Sequence, residues 1–254
     1  MPRYARFTLL GKHRWGLVTE SGLQPLDGSP YDGGTPNPSG EVLPLDAIQL
    51  EVPATPSKIV CVGRNYADHA KELGNEVPAE PLLFLKPPSA LLPDGGTVKY
   101  PHHMSALVHH EVELGVVIGR TCRDVREEDA HAYILGYTLI NDVTARDLQR
   151  KDVQFTRAKG FDTFCPVGPW VDTDFRPTDQ RISLTVNGEV RQDGHLDQMI
   201  FPVAKLVAYI SQVMTLERGD LIATGTPSGV GPIVPGDLVA LTVDGLGTLT
   251  HTVG

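Results

Sequence analysis

The sequence predicts a β-rich α+β fold with a small N-terminal β appendage, and three observations carry that prediction. Short apolar runs outnumber segments of helical periodicity. The two kinds do not alternate regularly, which disfavours a doubly wound sheet or a (β/α)₈ barrel. The 254 residues also include 26 glycines and 21 prolines, the punctuation of a turn-rich chain. That length suits one large domain, or one domain with an appendage, and leaves room for a real core.

From Arg3 to about Leu50, apolar runs (Phe7, Leu9, Leu10; Trp15, Leu17, Val18) broken by Gly11, Gly16, Gly22 and Gly28 predict short hairpins. Residues 28–40, rich in Gly, Pro, Ser and Asn, read as a loop. Glu51 to Ser57, with Pro53 and Pro56, reads as an extended linker, so a boundary falls near residue 55, with 1–55 as the appendage and 56–254 as the main unit. Beyond it, strands are predicted at 58–62, 82–85, 111–118, 134–140, 181–186, 221–223 and 238–243, with a tight hairpin turn at Asn187-Gly188. Helices are few. The clearest runs from Pro202 to Leu216, where Val203, Leu206, Val207, Ile210, Val213 and Met214 share a face. A second covers roughly Glu127 to Tyr133 after Asp124, a third Tyr66 to Leu73 between a capping Asn65 and Gly74, and a fourth Val143 to Arg150. No solenoid or propeller period occurs.

The net charge of −9 excludes a broad basic surface for nucleic acid or anionic lipid, while one or two local cations suffice for a small anionic substrate. Cys61, Cys122 and Cys165 show neither CxxC nor framework spacing, which predicts a reducing cytoplasm. Met1 to Leu10 lacks a long apolar core, and stretches such as Leu114 to Ile118 fall far short of a membrane span, so neither export signal nor transmembrane helix is expected.

In a strand, Glu111 and Glu113 share a face, while Val112 and Leu114 point away. An isolated pair of this kind is ordinarily a solvent-facing edge. Here Val116, Val117 and Ile118 continue as an apolar run typical of burial on both faces, so the carboxylates need compensation, and a divalent cation supplies it. Asp142, which by itself reads as a helix cap, adds a third oxygen donor, a set suited to Mg²⁺, Mn²⁺ or Ca²⁺. The rival is a zinc or iron site built by the glutamates with His102, His103, His109 or His110. His69 and Glu72, at i and i+3, form either a solvated helical pair or a general base with its orienting carboxylate. Arg64 could bind an anionic group, and Arg146, Gln149 and Lys159 cluster after Asp142. Gly225 to Gly231 lacks a P-loop lysine. Its amides and the Thr226 hydroxyl could hold a substrate carboxylate, or the segment is a plain turn.

Five ordered blocks resemble the fumarylacetoacetate hydrolase family over residues 57–252. They are Val62-Gly63-Arg64-Asn65-Tyr66-Ala67-Asp68-His69, Phe84-Leu85-Lys86-Pro87, His110-Glu111-Val112-Glu113-Leu114, Asn141-Asp142-Val143-Thr144-Ala145-Arg146-Asp147 and Gly219 through Pro227. The resemblance implies a mixed β-sandwich roll, a divalent metal, usually Mg²⁺, and a homodimer. Carried over by motif, Glu111, Glu113 and Asp142 are metal ligands, His69 with Glu72 is a water-activating dyad on a lid, and Lys159 is the active-site lysine. Gln149 orients substrate by the same carry-over, and Arg64, Arg146 and Thr226, from the reading of the residues themselves, are expected as further substrate contacts. The sequence is similar to two branches, acylpyruvate hydrolases with oxaloacetate decarboxylase activity and 2-hydroxyhepta-2,4-diene-1,7-dioate isomerases or decarboxylases of aromatic catabolism. The leading expectation is Mg²⁺-dependent hydrolysis of a C–C bond in a 2,4-dioxo acid of the acylpyruvate or fumarylpyruvate type, through a metal-chelated enolate. The alternative is tautomerisation or decarboxylation of a 2-oxo dioate, and a non-enzymatic 2-oxo acid binding module is the reading from a different class. The far wall of the substrate pocket is expected from loops such as 87–105 and 160–166.

Overall fold

The computed structural model describes residues 2–32 and 36–254. Residues 33–35 of the loop expected at 28–40, and Met1 at the head of the stretch screened for an export signal, lie outside the described residues. The larger of two main sheets runs, edge to edge, through Asn37–Pro38, Gly22–Asp27, Lys12–Thr19, Arg3–Leu9, Cys165–Asp172, Ile134–Asn141, Val112–Ile118, Leu221–Ala223, Ile59–Gly63 and Leu82–Lys86. The smaller orders Glu189–His195, Arg181–Val186, Leu238–Val243, Gly247–Val253 and Thr97–Val98. All seven strands expected beyond residue 55 are present within a residue of their expected ends.

Val112, Leu114, Val116 and Ile118 pack against Ile182, Leu184, Val239, Leu241 and Leu249 of the smaller sheet, while Val117 joins Ile59, Cys61, Val167 and Leu221 on the other side. The central strand is therefore covered on both faces, which is why its sequence is a continuous apolar run rather than an alternation. The first three strands form the expected meander. Arg3–Leu9 continues into the large sheet by pairing with Cys165–Asp172 (Arg3↔Asp172, Tyr4↔Val171), and Arg3 Nε lies 3.1 Å from the buried Asp172 carboxylate.

Several local expectations need correction. Cys165–Asp172 is a strand, although Pro166, Gly168 and Pro169 read as turn residues; its register with Ile134–Asn141 shifts between Tyr137 and Leu139, and such an irregularity tolerates proline. Asn37–Pro38 adds a short strand within the expected loop. The long helix spans Val203–Val213 and stops short of Leu216, because Met214 turns extended and Leu216 exchanges backbone hydrogen bonds with Cys122. Glu127–Tyr133 is a 3₁₀ rather than an α-helix. The helix expected at Val143 begins at Arg146, since Thr144–Ala145 pairs with Val108–His109. The short helix is Ala67–Glu72, with Tyr66 at its N-cap. Asn65 does not cap it: its amide donates to the carbonyls of Thr224 (2.7 Å) and Phe201 (3.1 Å) and accepts from Phe201 N–H (2.8 Å).

Candidate active site

Val112 pairs with Asn141 across two central strands, so the residues flanking that pair, Glu111, Glu113 and Asp142, converge. Asp142 N–H donates to Glu111 O (2.9 Å), and Glu111 N–H donates to Asn141 Oδ1 (2.8 Å), fixing both backbones. One carboxylate oxygen from each of the three lies within 4.8 Å of the others, and the residues are 4%, 2% and 0% exposed. None of His102, His103, His109 and His110 belongs to this cluster, so among the described residues the histidine alternative is not assembled. Asp142 is no helix cap, because Ala145 occupies that place.

Three cations face the carboxylates. Lys159 Nζ donates to Glu111 Oε2 (2.8 Å) and to Asp142, Lys86 Nζ to Asp142 Oδ1 (2.7 Å), and Arg146 ion-pairs with Glu111. Burial pushes the Glu111 carboxyl up, but Lys159 and Arg146 outweigh it and hold the group well below its usual range. Burial likewise pushes Lys159 down, and Asp142 with Glu111 reverses this, keeping the ammonium protonated. Glu113 differs. It has no cationic partner among the described residues and accepts only Gly225 N–H (2.8 Å), so burial, Asp142 and Glu111 drive its pKa well up. Gly225 is required there: its φ is +99°, and a Cβ would sit 2.6 Å from Asn65 Cβ.

The cluster opens into a cavity of about 370 Å³, and all ten residues singled out in the sequence line it: Arg64, His69, Glu72, Glu111, Glu113, Asp142, Arg146, Gln149, Lys159 and Thr226. His69 is 5% exposed, and its Nδ1 lies 3.3 Å from Glu72 Oε2, which leaves Nε2 as the ring nitrogen without that partner. Glu72 Oε1 accepts Gly229 N–H (3.0 Å). Arg146 Nη1 donates to Gln149 Oε1 (2.6 Å). Two expectations change. The Gly225 and Gly229 amides serve Glu113 and Glu72 rather than standing free for a substrate carboxylate. The remaining wall comes from Leu73, Asn75, Leu82, Phe84, Arg150 and Phe155, not from loops 87–105 and 160–166. Sequence reasoning also missed Lys86. A lysine ending the apolar run Leu82–Leu85 reads as a solvated strand end, yet it is 1% exposed.

A family model described as fumarylacetoacetate (FAA) hydrolase C-terminal matches residues 58–254, and one described as Rv2993c-like, N-terminal, matches residues 3–53. Protein Rv2993c of Mycobacterium tuberculosis is 51% identical over 87% of this chain and 84% of that protein. The mitochondrial oxaloacetate decarboxylase of Dictyostelium discoideum is 50% identical over 76% and 92%. Among solved structures, 2-hydroxyhepta-2,4-diene-1,7-dioate isomerase from Mycobacterium marinum superposes with a TM-score of 0.91 at 43% identity, covering 100% of this chain and 98% of that one. Fumarylpyruvate hydrolase from Pseudomonas aeruginosa, in complex with Mn²⁺ and pyruvate, gives 0.74 at 36% identity, covering 81% and 91%.

Proposed function

Because the chain is an enzyme belonging to the fumarylacetoacetate hydrolase family, we propose that it acts on a small 2-oxo dicarboxylic acid, tautomerising or decarboxylating an oxaloacetate-type substrate through its enolate. The observation that carries this reading is the charge inventory of the cavity. Arg146 is engaged by Glu111 and Gln149, but Arg64 and Arg150 line the same space without an ion pair among the described residues. A cation-binding cluster and two unengaged guanidiniums in one cavity match a ligand bearing a carboxylate at each end. The relatives named as an oxaloacetate decarboxylase and a dioate isomerase support the same choice.

The donor set fits a hard divalent cation, since all donors are oxygens and Glu113 lacks any other countercharge. Glu111, Glu113 and Asp142 would hold it; Mg²⁺ is the proposed ion, with Mn²⁺ or Ca²⁺ as substitutes. When bound, such an ion polarises the 2-oxo carbonyl and stabilises the negative charge that develops on enolisation. Lys159, kept protonated, supplies the proton to the enolate carbon, Gln149 and Thr226 orient the substrate, and Arg64 with Arg150 fixes the distal carboxylate. Lys86 Nζ fixes the Asp142 carboxylate in place through its 2.7 Å hydrogen bond to Oδ1.

His69 favours a second reading. With Nδ1 on Glu72 and Nε2 available, it can take a proton from water for attack on the distal carbonyl of a 2,4-dioxo acid, as the acylpyruvate and fumarylpyruvate expectation requires. Decarboxylation needs no such water. The discriminating experiment supplies Mg²⁺ and follows oxaloacetate, acetylpyruvate, fumarylpyruvate and 2-hydroxyhepta-2,4-diene-1,7-dioate by loss of enol absorbance and by product. Preference for the dicarboxylates without water addition supports the first reading, and C–C hydrolysis of acylpyruvates replaces it with the second. Binding without turnover of any of them leaves only the binding module.

The same proposal includes a homodimer and a division near residue 55, the latter supported by family matches that end at 53 and resume at 58. No described helix is long and apolar enough to cross a membrane. The three cysteines are free and buried, which supports the cytoplasmic reading.

A further inference from the structure

Behind the strand that carries Glu113 lies a buried glutamine, Gln192, outside the cavity lining. Gln192 belongs to Glu189–His195, an outer strand of the smaller sheet, and is fully buried. Its side-chain amide uses all four of its hydrogen-bonding positions. Oε1 accepts from Val112 N–H (3.0 Å) and from His110 Nδ1 (2.9 Å); Nε2 donates to Pro227 O (2.8 Å) and to Thr226 Oγ1 (2.7 Å). The orientation of the amide is unambiguous, because a backbone N–H can only donate and a backbone carbonyl can only accept.

Two consequences follow from that fixed orientation. Val112 stands between Glu111 and Glu113, so the oxygen end of Gln192 anchors the backbone from which both carboxylates project. At the nitrogen end, the Thr226 hydroxyl accepts a hydrogen bond from Gln192, so its own proton must point elsewhere. Thr226 lines the cavity and donates to no partner among the described residues. We propose that Gln192 is a positioning residue that locks the two glutamates and the Thr226 hydroxyl into one geometry and sets that hydroxyl as a hydrogen-bond donor toward the substrate oxygen. The inference rests on reading Glu111, Glu113 and Asp142 as a divalent-cation site.

The two ends of the amide separate by substitution. Gln192→Glu keeps both acceptors for Val112 and His110 but removes both donors, and the Thr226 O–H turns back to the new carboxylate. Gln192→Leu removes both ends. The experiment titrates Mn²⁺ into the full chain by electron paramagnetic resonance, then titrates pyruvate into the Mn²⁺-loaded protein by calorimetry, for wild type, both variants, Thr226→Val and the Gln192→Glu/Thr226→Val double variant. Gln192→Leu should weaken Mn²⁺ about tenfold, the usual effect of losing a group that orients ligands, and should alter the Mn²⁺ line shape. Gln192→Glu should weaken pyruvate about as much as Thr226→Val does, roughly tenfold for one lost hydrogen bond to a charged ligand. The double variant should lose no more than either single one. Should Gln192→Leu fail to fold, Gln192→Met takes its place, and the glutamate arm stands without either. Additive losses in the double variant, or Mn²⁺ binding and line shape unchanged in the folded Gln192→Leu or Gln192→Met protein, overturn the proposal. A wild type that binds no Mn²⁺ overturns instead the cation site on which it depends.

Discussion

The carboxylate cluster and the His69–Glu72 pair face one cavity but are held by different physics. Glu111, Glu113 and Asp142 are fixed by paired central strands, by backbone bonds through Asn141 and by the Gly225 amide, with two cores packed around them. His69 and Glu72 ride on a six-residue helix that has no side-chain cap, and the Glu72 side chain is 32% exposed. A helix that short has no stability of its own. It is held by the Asn65 clamp at its base and by the bond from Gly229 to Glu72. On the proposed roles, cation binding rests on the rigid core and water activation on an element that a few bonds keep in place, so the two can be perturbed separately.

The hardest blow to the rigid half comes from Glu113→Gln or Asp142→Asn. Either should weaken Mg²⁺ by at least about tenfold and lower every activity together, with turnover falling more than stability; metal titration beside a thermal melt measures both. Chelation of wild type should inactivate reversibly, with Mg²⁺ or Mn²⁺ restoring activity better than Zn²⁺. On the other side, His69→Ala should cut hydrolysis of acylpyruvates by roughly 10²-fold or more, the worth of a general base, while sparing most tautomerisation or decarboxylation and all Mg²⁺ affinity. Equal loss of all activities would abolish the contrast. Gly229→Ala is a milder probe of the same element. Its φ of +96° and a Cβ 2.2 Å from Arg191 O require the loop to shift, at a cost of about 1–3 kcal/mol, and hydrolysis should decline further than Mg²⁺ affinity, which feels the shift only through Gln192.

The smallest expected effect is a pH dependence confined to the rigid half. Burial lowers the His251 pKa to about 4, and its Nε2 accepts the Asn141 amide (2.8 Å), which in turn holds Glu111 N–H. The ring is neutral in the fold but titrates near 6.5 when unfolded, so its stabilising contribution is complete above that pH. As pH falls, the unfolded chain takes the proton first, and stability drops progressively down to about 4. Between pH 7 and 5.5 this amounts to about 1 kcal/mol. Denaturant melts across that range should show the slope in wild type and a shallower one in His251→Gln, the remainder coming from His109 and His110, whose pKa values burial also lowers.

Part of the cavity was legible from local spacing, while the roles of its residues rested on the resemblance of the five ordered blocks. The i, i+2 pair Glu111 and Glu113 shares a strand face, and the i, i+3 pairs His69–Glu72 and Arg146–Gln149 share helix faces. Lys86 and Gln192 were not legible, since their partners are tens of residues distant and each reads locally as an exposed polar side chain. Asp142 and Asn65 carried the right residue types for helix caps, but tertiary partners outcompeted the local bond. Cys165–Asp172 escaped because its glycine and prolines mimic a turn, while its pairing to Arg3–Leu9 and Leu91–Leu92 is entirely non-local.

Strand order also sets a timetable for biosynthesis. Arg3–Leu9 pairs with Lys12–Thr19 and Gln49–Glu51 as soon as these are made but joins the rest of the large sheet only when residues 165–172 have followed, and Val112–Ile118 is flanked on one side by Leu221–Ala223, which also pairs with Ile59–Gly63. At translation speeds of about 5–20 residues per second, the Arg3–Tyr4 junction with that strand waits on the order of 10–30 s. The pocket closes later still, when the turn bearing Gly225 and Thr226 leaves the ribosome. The carboxylate cluster gains its glycine amide only then, and nascent-chain quality depends on protecting the waiting edges.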